Sequence, residues 1–408
     1  MPRMVRKQRG RYPKMTQRSG NVGLSIDDLH LSEDRAVGWR ELRDAGEVVV
    51  SPHQIVLSSA AAVEFAATRP GIFSNAKAYD LMGSPVPLIP IALDPPDHTR
   101  FRRLLDPFFS PKKMAAREPE LRRQAGELID AIKARGECEF IADVAAPFPS
   151  QVFLSLFGLP LEDRDRFMGW KESILQATDP ASGEPTQEVL QHSLELYTYL
   201  SDYVARRRAD PSHQDLLSQL MQLDGDEALT DAEIIGLCFL FVLAGLDTVT
   251  SALAFAFAHL AADADLRHKI GSNYDLIPSF IEEKLRQDGP VPFVARVTTE
   301  DVEVAGTVVP KDSHVMLGYG SANHDPRQFD DADVVRLGKR PQHFAFGRGP
   351  HRCLGSHLAR MELRIVLEEW HNRIPDYALA EGAHPVAPWP RAGTIVLDSV
   401  PLVFSPQS

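Results

Sequence analysis

The stretch Phe344-Ala-Phe-Gly-Arg-Gly-Pro-His-Arg-Cys-Leu-Gly-Ser-His-Leu-Ala-Arg-Met-Glu-Leu363 governs how the rest of the chain is read. Cys353 follows Gly347 and Gly349 and precedes a segment with apolar residues at Ala359, Leu363, Val366, Leu367 and Trp370, the spacing of one helix face. A cysteine at a helix N-terminus has its thiolate favoured by free N–H groups and by the positive end of the helix dipole. Glycines on the approach let another flat body come close to the backbone. One reading is a phosphate loop, but the third glycine of that pattern is missing and Pro350 removes an N–H donor. A second is a metal site of His351, Cys353 and His357, suitable ligand types crowded around one helix start.

Upstream, the sequence Thr230-Asp-Ala-Glu233 forms a capping box, and apolar or small residues then run to about Ala262. At 1.5 Å per residue this predicts a buried helix of roughly 48 Å, long enough to traverse the protein. Short β-branched runs at 48–50, 55–57, 302–304, 308–309 and 315–317 predict a small antiparallel sheet. The fold class is therefore mainly α with a small antiparallel β part. Residues 71–93, broken by Pro85, Pro87 and Pro90, have the length of a lid or binding loop. Basic residues from Arg3 to Lys14 mark residues 1–22 as a disordered tail, and residues 23–408, free of repeats and low-complexity linkers, are expected to form one domain.

A net charge of −12 argues against a general nucleic-acid binder, which needs a surplus of Lys and Arg at its contact surface. The longest uninterrupted apolar run, Ile234 to Leu246, falls short of the roughly 18 residues that cross a bilayer, so no membrane span is expected. Without an apolar N-terminal leader, a cytoplasmic location is the default. Cys138, Cys238 and Cys353 are too widely spaced for a disulfide framework or a CxxC zinc site.

A third reading of the cysteine segment rests on a resemblance. The pattern Phe346-Gly347-x-Gly349-x-His351-x-Cys353-x-Gly355 resembles the haem-binding signature of cytochromes P450. Ala244-Gly245-Leu246-Asp247-Thr248 resembles the family's oxygen-activation motif, and Glu283-Lys-Leu-Arg286 its ExxR pair. The resemblance implies a cytochrome P450 fold with a long central helix over haem (heme b, iron protoporphyrin IX) and Cys353 as the metal ligand. It implies that Asp247 and Thr248 are the catalytic pair, and that Arg340, or Lys339, joins Glu283 and Arg286. Ala332 and Val335 depart from the family pattern there, where Pro and an aromatic residue are usual.

His98 and Arg102, four apart in Asp94-Pro-Pro-Asp-His-Thr-Arg-Phe-Arg102, would share a helix face and repel unless an anion lay between them. Haem propionates are such anions, and Arg296 and His351 resemble their other partners. By helical spacing Leu240, Leu243 and Ala244 would form an apolar wall above the haem, with Val291, Val294 and residues 71–93 closing the pocket.

The function so implied is a monooxygenase that inserts one atom of dioxygen into a hydrophobic small molecule. Its electrons would come from a ferredoxin or flavodoxin with its reductase, docked near Arg103, Lys112, Lys113, Arg348 or Arg360. A peroxygenase would typically lack the acid–Thr pair. A sensing module on the same scaffold would bind haem and substrate without turnover, and a non-haem cysteine hydrolase would show no haem absorbance.

Overall fold

The capping box at Thr230 forms as the sequence predicts. The Thr230 hydroxyl accepts the Glu233 N–H at 3.2 Å, and the Glu233 carboxylate takes the Thr230 N–H at 2.8 Å. The computed structural model describes residues 26–406, apart from 33, 52–53, 80–83, 177–184, 211 and 389–392. The basic tail expected over residues 1–22 lies outside the described residues.

The helix launched by that cap is two helices in line, Asp231–Gly245 and Thr248–Ala262, separated at Leu246 and Asp247. The helix expected from residue 230 to about 262 is thus interrupted once along its length. Asp247 adopts φ −123°, outside the helical range, and its carboxylate is drawn to Lys171 at 2.7 Å. Taken together, residues 231–262 are long and apolar enough to cross a membrane, with a mean hydropathy of 2.0 over 18 residues. Counting only uninterrupted runs had hidden this. Since 72% of that window is buried inside the protein, its apolarity is that of a core helix.

All five β-branched runs are strands. In chain order the strands are β1 (Val48–Val50), β2 (Ile55–Leu57), β3 (Phe73–Ser74), β4 (Glu137–Glu139), β5 (Phe293–Thr298), β6 (Val302–Val304), β7 (Thr307–Val309), β8 (His314–Gly318), β9 (Tyr377–Leu379) and β10 (Pro401–Phe404). The largest sheet has the order β1-β2-β8-β5-β3, and β6 and β7 form a separate ribbon. Pairing is antiparallel except between β2 and β8, which run parallel with Val56 opposite Met316. A parallel neighbour has no hairpin turn to announce it, so local sequence could not show this exception. The third sheet, β4-β10-β9, joins residues 137–139 to the C-terminal strand.

Helices supply most of the packing. The Ser356–Arg373 helix behind the cysteine segment buries Trp370 against Phe140 and Phe257, with ring centroids 5.3 and 5.2 Å away. On the other side Phe153 and Phe157 pack under the first half of the central helix, Phe157 meeting its Phe241 with ring centroids 4.8 Å apart. The site lies between these two bodies of core.

His324, 4% exposed, uses Nδ1–H to reach the Gly320 carbonyl at 2.8 Å, and burial pushes its pKa down to about 4. Burial and the neighbouring Lys284 likewise hold His259 down to about 4. Unfolded histidines titrate near 6.5, so below that pH the unfolded chain binds more protons and stability falls until about pH 4. For His324 the full window is worth up to about 3 kcal/mol. Thermal midpoints should therefore decline between pH 6.5 and 4, and His324→Asn should flatten that limb; an equally steep variant would contradict the assignment.

Candidate active site

Cys353 is held by a turn that only glycine can make. Gly347 and Gly349 have φ of +69° and +68°, the left-handed region where a Cβ is strained. A Cβ at Gly349 would also lie far inside van der Waals contact of the Ala67 carbonyl oxygen, and one at Gly347 would meet the Tyr319 hydroxyl at 3.2 Å. The close body at these glycines is therefore the protein itself. Gly355 differs: no heavy atom lies within 4 Å of where its Cβ would be. The turn closes when the Cys353 N–H donates to the Phe346 carbonyl at 2.8 Å.

The turn forms one wall of an internal cavity of about 340 Å³. Cys353 has accessible surface because it opens into this cavity, although it lies deep within the protein. Burial pushes its thiol pKa up, while the Gly355 N–H and the charges of Arg102, Arg352 and Arg360 pull it back. The proposed metal trio does not assemble. His357 is exposed, and among the described residues no three His, Cys, Asp or Glu side chains converge as metal ligands.

Basic groups gather on the same wall. His98, 2% exposed on the Asp97–Leu105 helix, packs against His351 with ring centroids 4.1 Å apart and the rings tilted by 48°. Burial and neighbouring positive charge hold both rings neutral, His351 down to about 3 and His98 lower than usual. Among the described residues, His98 Nδ1 and His351 Nε2 have no hydrogen-bond partner. Arg102 donates to the Arg352 carbonyl at 2.6 Å and to Asp106 at 2.9 Å. Arg296 is 2% exposed and donates to the Ala295 carbonyl, with no carboxylate in ion-pair reach among the described residues.

Sequence reasoning missed Asn75, which lies wholly buried at the start of the 71–93 loop. Its amide is 3.2 Å from His351 Nδ1 and donates to the Ile91 carbonyl at 2.8 Å, leaving Oδ1 unpartnered. The loop also brings Tyr79, Pro90 and Ile91 to the cavity. Residues 80–83 of that loop lie outside the described set.

The opposite wall is the central helix, which presents Leu240, Phe241, Ala244, Gly245, Thr248, Val249 and Ala252. Val291 and Val294 complete it as expected, but Leu243 does not take part. It is 6% exposed within the adjoining core, because the cavity face follows residues 240, 244, 248 and 252 and drifts away from position 243. Thr248 donates to the Ala244 carbonyl at 3.4 Å, a long bond that leaves its hydroxyl only loosely engaged. Asp247 turns away from the cavity toward Lys171, whose side chain is 1% exposed. Nothing in the local sequence pointed to Lys171, since it comes from a separate helix, Arg164–Gln176.

Glu283 and Arg286 form a buried pair at 2.9 Å. The expected third partner, Arg340, is exposed and outside this network, as is Lys339. Arg286 instead donates to the carbonyls of Asn323, Ala332 and Val334, and Glu283 accepts the Arg336 N–H at 3.1 Å. Backbone groups satisfy the pair, so no second guanidinium is needed. Of the basic residues expected at a docking surface, Arg103, Lys112 and Lys113 are exposed, whereas Arg360 is engaged with Glu282 and Arg348 with the Gln342 carbonyl.

Comparison with known proteins agrees with this geometry. The Cytochrome P450 family model matches residues 49–370. A steroid C26-monooxygenase of Mycobacterium tuberculosis is 31% identical over 95% of this chain and 98% of its own length. The probable cytochrome P450 127A1 of Sinorhizobium fredii is 35% identical over 75% of this chain and 72% of its own. Among solved structures, CYP109E1 from Bacillus megaterium in complex with testosterone superposes with a TM-score of 0.84 at 28% identity, covering 94% of this chain and 100% of that one.

Gly349→Ala should destabilise the protein by about 1–3 kcal/mol through backbone strain, with the clash against Ala67 added. Gly355→Ala should leave the thermal midpoint nearly unchanged. Equal midpoints for the two variants would refute the account of the turn.

Proposed function

The chain belongs to the cytochrome P450 family and is a haem-dependent monooxygenase; from that premise we propose that it oxidises a largely apolar small molecule of steroid-like size, with Cys353 as the haem ligand. The observation that carries this reading is one cavity lined at once by Cys353, by Thr248 and by buried Arg296, which has no carboxylate partner among the described residues. The donor set fits haem b. A flat dianionic macrocycle needs buried cationic or N–H donors along one edge, and Arg296, Arg102 and the orphaned ring nitrogens of His98 and His351 are of that kind. These residues would hold the propionates, with Phe346, Gly347, Ala244 and Gly355 lining the space around the macrocycle.

When bound, the haem supplies dioxygen activation, and a thiolate ligand favours cleavage of the O–O bond. The protein's part is to bind, orient and deliver protons. Phe109, Phe153, Phe157, Phe241, Val291 and Val294 give the substrate an apolar enclosure and exclude bulk water. The long Thr248–Ala244 bond leaves the Thr248 hydroxyl able to turn into the cavity and pass a proton from Oγ1. Asp247, 24% exposed, connects that hydroxyl's helix to water, and its carboxylate is paired with the Lys171 ammonium at 2.7 Å. The steroid-like size draws on two relatives, one named for steroid C26 oxidation and one solved with testosterone. Arg103, Lys112 and Lys113 form the positive surface we assign to an acidic ferredoxin or flavodoxin donor.

The reduced carbon monoxide complex should lose its thiolate signature in Cys353→Ala and keep it in Cys138→Ala and Cys238→Ala. Steroids should give type I spectral shifts before fatty acids or aromatic acids do; the reverse order would overturn the substrate class. Thr248→Ala should raise the peroxide-to-product ratio with haem content unchanged, and an unaltered ratio would sink the proton-delivery role. Asp247→Asn should slow turnover and also destabilise the protein by on the order of 3 kcal/mol, because it strands the Lys171 ammonium. Adding Lys171→Met should restore the thermal midpoint and not the turnover.

A further inference from the structure

Beside the Glu283–Arg286 pair lies a second buried cluster that nothing in the proposed mechanism uses. Glu282, 9% exposed, takes two bonds from Arg360, Nε at 2.6 Å and Nη2 at 2.7 Å. Its Oε2 also lies 3.1 Å from His343 Nε2. His343 Nδ1 accepts the Ala345 N–H at 3.1 Å, so the ring proton sits on Nε2 and is donated to Glu282. Burial keeps that ring neutral, and the two partners hold the Glu282 carboxyl down to about 2.

Both partners of Glu282 lie against one side chain. The Arg360 guanidinium is 4.3 Å from the centroid of the Phe346 ring, and the His343 ring is 5.8 Å from it. Phe346 is the residue whose carbonyl receives the Cys353 N–H, and it lines the cavity. A cation over a ring face is attracted by the ring quadrupole and restricts both groups. Arg360 is 29% exposed, so without its carboxylate the guanidinium would be drawn into water.

We propose that Glu282, acting through Arg360 and His343, is a positioning residue for the Cys353 thiolate that fixes the Phe346 turn and sets the local charge felt by the haem ligand. The inference rests on Cys353 being that ligand. Glu282 and Arg360 carry opposite charges at nearly one place, so a role in tuning the ligand has a signature that a role in packing lacks. Removing the carboxylate makes the surroundings of the sulfur more positive and stabilises the electron-rich reduced state. Removing the guanidinium does the opposite.

The test is the reduction potential of the substrate-free holoenzyme, measured by spectroelectrochemistry for Glu282→Gln, Arg360→Gln and Arg360→Lys. The expected result is a positive shift for Glu282→Gln, a negative shift for Arg360→Gln, and a value between Arg360→Gln and wild type for Arg360→Lys. Shifts of the same sign in the first two variants, or no shift in either, would overturn the proposal even if both melt earlier. Should Glu282→Gln fail to retain haem, the Arg360 pair decides alone, equal potentials for Gln and Lys being the refuting outcome. A wild-type carbon monoxide complex without the thiolate signature would instead remove the reading of Cys353, which separates that failure from this one.

Discussion

A buried charge must be paired, and an irregular backbone must have its carbonyls satisfied; Arg286 meets both demands at once. Its guanidinium is neutralised by Glu283 and donates to carbonyls at positions 323, 332 and 334, while Glu283 receives the Arg336 N–H. The loop that leads into the cysteine turn is thereby fixed to the Ile277–Gln287 helix rather than left to its own weak propensities. Removing either partner would strand a charge inside the protein, which costs far more than an exposed pair contributes. The glycine turn, the Phe346 carbonyl and the cavity wall all follow in chain order from that anchored loop.

The cavity then brings together two surfaces with opposite requirements. The central helix supplies hydrocarbon and a single loosely bonded hydroxyl, Thr248. The wall from Asn75 through His98, Arg296 and His351 supplies buried polar groups, three of whose atoms have no hydrogen-bond partner among the described residues. Such a wall is costly until an anion meets it, so the residues we propose for cofactor recognition carry a desolvation cost that binding would offset.

What could be read from the sequence was whatever depends on neighbours along the chain. The capping box at Thr230, the strand runs and the helix after Cys353 are local patterns, and they fold as read. The cysteine signature was legible because Phe346, Gly347, Gly349, His351, Cys353 and Gly355 all stand where the family pattern has them. Leu243 was misplaced by a small error in helical phase. Arg340 was chosen because a cation was expected beside Glu283, where the protein uses the Arg336 backbone N–H, a donor with no residue-specific signature. Lys171 and Asn75 reach the site across long separations in sequence, and nothing beside either residue hints at its partner. The break at Leu246 and Asp247 belongs to the same class, since a remote lysine helps to draw Asp247 out of the helical run.

The parallel pairing of β2 with β8, and the antiparallel pairing of β4 with β10 in the third sheet, give assembly an order in time. Residues 55–57 cannot complete their sheet until residues 315–317 exist, and residues 137–139 wait for the final strand. During synthesis the N-terminal half therefore emerges with strand edges unsheltered, and closing such distant contacts is the slow step of reaching the native topology. The cysteine turn is made later still on the ribosome than β8. If the cysteine turn holds the haem as we propose, the cofactor is captured only after every strand of the largest sheet has been made.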